Sequence, residues 1–166
     1  MTNSKHTPER RKVTCVYGRP RKTWCGPYAL AVIGKTDYEN AYKICKKVRR
    51  KRSAAGISNS NFTAVAHRFG VSSNWKKTES MKLKTWIEME TKPNTVYVVQ
   101  ITRHYIIIDT RDCTTIDNQK PEWIDMSSSK HLNKKVHNVM EIRNPKFEPN
   151  HQNLDFRFQE KLVAKS

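Results

Sequence analysis

Partway along the chain the hydrophobic period changes, and this change limits the fold more than any other feature. Up to Pro93 the apolar residues recur at helical intervals. From Thr95 they come in runs, "TVYVVQI" and "HYIIID", rich in β-branched and aromatic residues and split by Thr102 and Arg103. Such runs are written for buried strands, because branched and flat side chains pack well on a pleated surface. "CTTID" follows the turn-like "TRD" and reads as a strand returning antiparallel. "HYIIID" is either a second strand or a continuation of the first, and "KVHNVMEIRNP" reads as one more strand.

Upstream, four segments read as helices. "GPYALAVIG" has Pro27 in its first turn, where the missing amide costs nothing, and Gly34 suited to a C-terminal cap. "TDYENAYKICKKVRRKR" sets Thr36 and Glu39 at capping-box spacing, with Tyr38, Ala41, Tyr42, Cys45 and Val48 on one face. In "SNSNFTAVAHRFGV", Phe62, Val65, Ala66 and Phe69 point inward, Gly70 supplies the stop and His67 falls outside. "MKLKTWIEMETKP" buries Leu83, Trp86 and Ile87 and closes at Pro93. Helices first and antiparallel strands after is an α+β layout.

At 166 residues the chain suits one domain with a core of moderate size. Residues 1–12 read as a flexible basic arm, 13–145 as the domain, and 146–166 as a C-terminal tail able to pack on it. The start "MTNSKHTPERRK" has no apolar core of a signal peptide, and no apolar run reaches the roughly 18 residues of a membrane span. Cys15, Cys25, Cys45 and Cys113 form no CxxC pair, which speaks against a zinc ribbon or a dithiol redox site. These features predict a reduced, cytoplasmic, soluble protein without metal or cofactor. A zinc site from Cys15, Cys45, Cys113 and His67 would need ligands gathered from distant elements. His131 and His137 lie in a polar segment and read as surface residues.

Charge narrows the partners. The chain carries a net +17, of which Met1 to Arg52 holds +12, from 15 Lys or Arg against 3 acids. A field this strong attracts polyanions, whether nucleic acid or an acidic protein. Lys46, Lys47, Arg49, Arg50, Lys51 and Arg52 form its densest run and are the candidate polyanion contacts, with Trp75 and Trp86 as aromatic partners. The plain alternative is a solvated helix end whose cations suit the helix dipole.

One residue has the setting of a nucleophile. Cys25 opens a helix, where unpaired amides and the dipole favour a thiolate. It needs an imidazole as acid and base, and the imidazole needs an acceptor to fix its tautomer. His104 heads the strand "HYIIID" and Asp117 ends "CTTID", so an antiparallel pair joined by a short turn brings them together. Asn118 is the substitute acceptor.

The series "CGPYAL", a capped amphipathic helix, "GISNSNFTAVAHRFGV" and "TVYVVQITRHYIIIDTRDCTTIDNQ" resembles the papain-like cysteine peptidases, most closely the bacteriocin-processing type. The likeness runs from about Arg19 to Gln119. It implies a papain-like fold, with helices packed on an antiparallel sheet, and a thiol protease acting on a protein or peptide substrate. It carries the nucleophile onto Cys25, the base onto His104 and the orienting acid onto Asp117. In one respect the chain departs from that pattern. Papain-like enzymes place a Gln before the nucleophile as an oxyanion donor, and here Arg19 stands six residues upstream, with Trp24 next to Cys25 as a wall of the cleft. Two further readings therefore accompany the hydrolase: an acyltransferase using the same triad, and a catalytically weakened scaffold that binds nucleic acid or acidic proteins.

Overall fold

The computed structural model describes residues 23–149. The basic arm, the start of the domain at Val13, Cys15, Arg19 and the tail beyond Pro149 lie outside the described residues.

Three helices come first: α1 (Cys25–Gly34), α2 (Tyr38–Arg49) and α3 (Asn59–Arg68). There follow β1 (Trp75–Lys82), α4 (Leu83–Glu90), β2 (Val96–Ile101), β3 (His104–Asp109), β4 (Thr114–Ile116), β5 (Ile124–Asp125) and β6 (Lys135–Ile142). The strands form one antiparallel sheet in the order β1-β6-β2-β3-β4-β5. The architecture is α+β, and no helix among the described residues is long and apolar enough to cross a membrane.

Period-two alternation divides the sheet into two faces. Val96, Val98, Tyr105, Ile107, Ile116, Met140 and Ile142 pack against α1, α2 and α3. Tyr97, Val99, Ile101, Ile106, Ile108 and Val139 pack with Leu83, Trp86 and Ile87 of α4 and with Met126. β2 and β3 are buried on both faces, which is why their sequences are near-continuous apolar runs. They are two strands joined by the two-residue turn Thr102–Arg103, with Arg103 at φ 56°.

Several local expectations change. The α2 cap is Asp37, whose carboxylate accepts from the Asn40 amide at 2.7 Å, while Thr36 accepts from the Asn40 side chain. A charged acceptor one residue nearer the helix suits its positive end better than the threonine. The left-handed residue after α1 is Lys35 at φ 51°, and Gly34 remains helical. Gly34 is small for another reason: a Cβ there would lie 2.8 Å from the Phe69 ring. β1 carries no apolar alternation because it is an edge strand, exposed over most of its length, with its register broken between Lys77 and Met81. Lysines on such an edge oppose pairing with other chains.

Trp86 is not available as a nucleic-acid contact, and Trp75 is partly taken up by packing. Trp86 is buried, edge-on to Tyr97. Trp75 packs on Phe62 and Tyr105, and its indole donates to the Asn59 carbonyl at 3.1 Å. Beyond β6, Phe147 is buried against Trp123, and the Arg111 guanidinium lies over its ring. Arg111 in turn makes two 2.9 Å bonds to the carboxylate of the buried Asp109.

Candidate active site

Residues from both faces of the sheet meet at one end of β3. His104 is the first residue of that strand and points to the same face as Ile106 and Ile108. β4 pairs with β3 only from Ile107↔Ile116 to Asp109↔Thr114. One residue beyond Ile116, Asp117 therefore falls on the His104 face, and its Oδ2 lies 3.1 Å from His104 Nε2. The shortness of β4 has a second effect. It leaves the outer edge of β3 unpaired around Tyr105, and the N-terminus of α1, which packs on β3, fits there. At this point the Cys25 thiol comes within electrostatic reach of the His104 ring and of the backbone amides of Tyr105 and Gly26.

Gly26 is what allows α1 to sit so close. A Cβ at this position would collide with the Ile57 side chain, so the helix start can approach the loop before α3 only without one. The chain entering α1 is fixed by two side chains: Tyr38 Oη accepts from the Trp24 amide at 2.9 Å, and Asn118 Nδ2 donates to the Thr23 carbonyl at 2.9 Å. Asn118 thus anchors the segment before Cys25, and the acceptor for His104 is Asp117. Trp24 is half-buried directly before Cys25.

Asp117 is a fully used carboxylate. Its Oδ1 accepts the amides of Gln119 (2.8 Å) and Lys120 (2.7 Å), and its Oδ2 accepts from His104 and, at 2.6 Å, from His131 Nε2. His131 is the residue of this candidate site that sequence reading missed. It is buried rather than on the surface, and its ring centroid lies 5.0 Å from that of His104. A short 3-10 turn at Met126–Ser128 carries it inward, and the Ser129 hydroxyl accepts its amide. The segment is polar because it spends its side chains on turns; nothing in "SSSKHLNKK" marks one histidine as inward. His137 and His67 are exposed, as the sequence implies.

The electrostatics follow from these bonds. Burial alone would raise the Cys25 thiol, but the hydrogen bond and charge of His104 and the amides of Tyr105 and Gly26 outweigh it, leaving the thiol below its ordinary value. Burial alone would lower His104, but its bonds to Asp117 and to the Cys25 sulfur raise it to about 9. Burial alone would raise Asp117, yet the two imidazoles and the Lys120 amide hold it well below the usual carboxylate range. The three shifts point the same way, each toward the charged form of its group. By contrast Cys45, buried in the core, is pushed up to about 12 and is inert.

An ionised carboxylate only accepts, so both ring nitrogens facing Oδ2 carry protons. This fixes the His104 tautomer: Nε2–H faces Asp117, and Nδ1 is left to exchange a proton with Cys25. His104, Asp117 and His131 also present three possible ligand atoms within 4.8 Å of one another. Each pair is at hydrogen-bond length to the shared oxygen, and a cation could enter only by breaking both bonds. Of the zinc set that the sequence disfavours, Cys45 and Cys113 belong to different faces of the sheet and His67 is exposed, while Cys15 lies outside the described residues.

In the basic run, Arg49 turns inward. Its guanidinium donates to the Ser53 carbonyl at 2.8 Å and to that of Ala55, closing the loop after α2. Lys46 lies over the Tyr42 ring at 5.2 Å. Lys47, Arg50, Lys51 and Arg52 are exposed and remain the polyanion candidates. Two clefts of about 630 and 440 Å³ run along β1, and no member of the Cys25 cluster lines either. No family model matches the chain, and no curated protein or solved structure matches it.

Proposed function

We propose that the chain is a papain-like thiol hydrolase that cleaves a peptide or amide bond through Cys25, His104 and Asp117. One observation carries this reading: Asp117 Oδ2 is bonded to the His104 ring, and that ring acts in turn on the Cys25 thiol, which stands at a helix N-terminus. Isolated buried thiols are common, but a thiol lowered by an imidazole that is itself raised by a carboxylate is the arrangement nucleophilic catalysis requires.

The steps balance on these groups. The Cys25 thiolate attacks the carbonyl carbon, and the carbonyl electron pair moves onto oxygen. His104 gives its Nδ1 proton to the leaving nitrogen as the C–N bond breaks, and the amine departs. Water then gives a proton to His104 and attacks the thioester, releasing the acid and the thiolate. Asp117 keeps its negative charge throughout and holds the Nε2–H tautomer. The amide of Cys25, first in α1 and without an intrahelical acceptor, is the backbone donor this mechanism assigns to the developing oxyanion. An amine in place of water gives acyl transfer with the same residues. The exposed cations Lys47, Arg50, Lys51 and Arg52 favour an acidic substrate or a nucleic-acid contact.

The test pairs reactivity with turnover. The protein is treated with a thiol-directed peptide electrophile and, separately, with a panel of amide and thioester substrates with and without an added amine. The reading requires adduct on Cys25 ahead of Cys45 and Cys113, and turnover that Cys25→Ala abolishes. Equal slow labelling of all the thiols, with no turnover on the panel, would sink it.

A further inference from the structure

His131 shares the acceptor atom that His104 uses, and it holds the shorter bond, 2.6 Å against 3.1 Å. Both side chains are nearly buried, 9% and 10% exposed, around a carboxylate that is 6% exposed. We propose that His131 is a positioning residue that divides Asp117 between two imidazoles, and so limits how firmly the carboxylate holds the His104 imidazolium. The inference rests on the hydrolase reading and refines its triad into a Cys25–His104–Asp117–His131 array.

The sign follows from what else holds Asp117. If His131 were the main support of the carboxylate, removing it would let Asp117 turn away from His104 and weaken the pair. But Oδ1 is fixed by two backbone amides at 2.8 and 2.7 Å, which belong to the same turn as Asp117 and survive the loss of His131. Removing His131 therefore leaves the carboxylate in place with one donor on Oδ2 instead of two. A donor on one lone pair draws charge from the other, so the His104 bond is the one that gains. A more tightly held imidazolium keeps the thiolate paired down to lower pH, yet gives up its proton to a leaving amine less readily. His131 thus trades some thiolate stability for a better acid, as a proton donor works best when its pKa lies near the working pH. The titratable side chains on the array are Cys25 from α1, His104 from β3, Asp117 after β4, and His131. Lys120 offers only its amide, its ammonium being paired with Glu122 at 2.7 Å.

The experiment measures the alkylation rate of Cys25 by iodoacetamide against pH, resolved from the other thiols by mass spectrometry, together with turnover. In His131→Leu the acid limb of the alkylation profile moves down, so labelling at a fixed pH on that limb is about threefold faster or more, while turnover falls. His131→Gln, whose amide nitrogen can reach Oδ2, restores both toward the native values. An acid limb that stays in place or moves up in His131→Leu, or one that His131→Gln fails to restore, overturns the proposal. Should His131→Leu not melt cooperatively, His131→Asn, too short to reach Oδ2, is read on the same limb with the same outcomes. His104→Ala separates the two levels. If it leaves Cys25 labelling unchanged, the hydrolase reading has failed; if it slows labelling while the His131 variants do nothing, only the present inference has.

Discussion

Replacing Asp117 by asparagine changes one atom and is expected to cost far more than a charge. The backbone amides of Gln119 and Lys120 both require an acceptor where Oδ1 now lies, so the asparagine oxygen takes that place and its NH₂ group faces the two imidazoles. A donor there forces His104 Nε2 to become an acceptor, and in the neutral ring the remaining proton moves to Nδ1, the nitrogen that must receive the thiol proton. His104 then loses both its raised proton affinity, now about 9, and its role as a base. Cys25, still buried, returns to an ordinary thiol pKa or above. A thiol of pKa about 8.5 is roughly 3% ionised at pH 7, so alkylation of Cys25 at neutral pH should fall severalfold. Turnover should fall further, because the acid step is lost as well. The assay is the pH-resolved alkylation of Cys25, with Cys45 and Cys113 as internal references and thermal melting as a check on folding. A Cys25 rate within twofold of native at pH 7, in a variant that melts normally, would refute the tautomer reasoning.

The same geometry fixes several other outcomes. Turnover should rise through the lowered Cys25 pKa and fall as the pH passes about 9, where His104 loses its proton, whereas alkylation persists above that point because the thiolate does not need the acid. In stability, the raised His104 contributes fully below the ordinary histidine value and is lost as pH rises through about 9; the depressed Asp117 contributes above the ordinary carboxylate value and is lost as pH falls toward its lowered one. Melting across pH, compared with His104→Ala, reads both limbs. Gly26→Ala should destabilise by about 1–3 kcal/mol and slow Cys25 labelling, because Ile57 must move and α1 must shift from β3. Arg49→Ala should lower stability by about 1–3 kcal/mol in denaturant titration through two orphaned carbonyls. Exchanging Lys47, Arg50, Lys51 and Arg52 for serine should instead leave stability near native and flatten the salt dependence of any nucleic-acid binding.

Much of this was legible in the sequence because it depends on neighbours along the chain. The helical spacing of Phe62, Val65 and Ala66, the doubly buried "TVYVVQI" and "HYIIID", and the inward stripe of Leu83, Trp86 and Ile87 are local patterns, and each forms the element it spells. Cys25 before Gly-Pro, His104 at a strand start and Asp117 at the next strand end could be paired on paper because an antiparallel turn is a short-range object. β1 could not be read, since an edge strand solvated along its length has no burial pattern to leave in its sequence. Nor could Trp75 and Trp86 be assigned to the core, or Arg49 to the loop after α2, because an aromatic or cationic side chain looks the same whether it meets solvent or another segment.

What only the tertiary structure decided lies in contacts between distant segments. β4 stops after Ile116, and the bare edge it leaves beside Tyr105 lets a helix start from the other face of the sheet bring Cys25 to His104. A polar segment after a 3-10 turn folds back so that His131, 14 residues from Asp117, takes the second share of its oxygen. The sequence by itself determined which residues could serve as nucleophile, base and orienting acid, since those roles depend on side-chain chemistry and on helix and strand ends. How the carboxylate is divided, and so how strongly the base is held, is set by packing distances of a few tenths of an ångström, and no pattern along the chain records them.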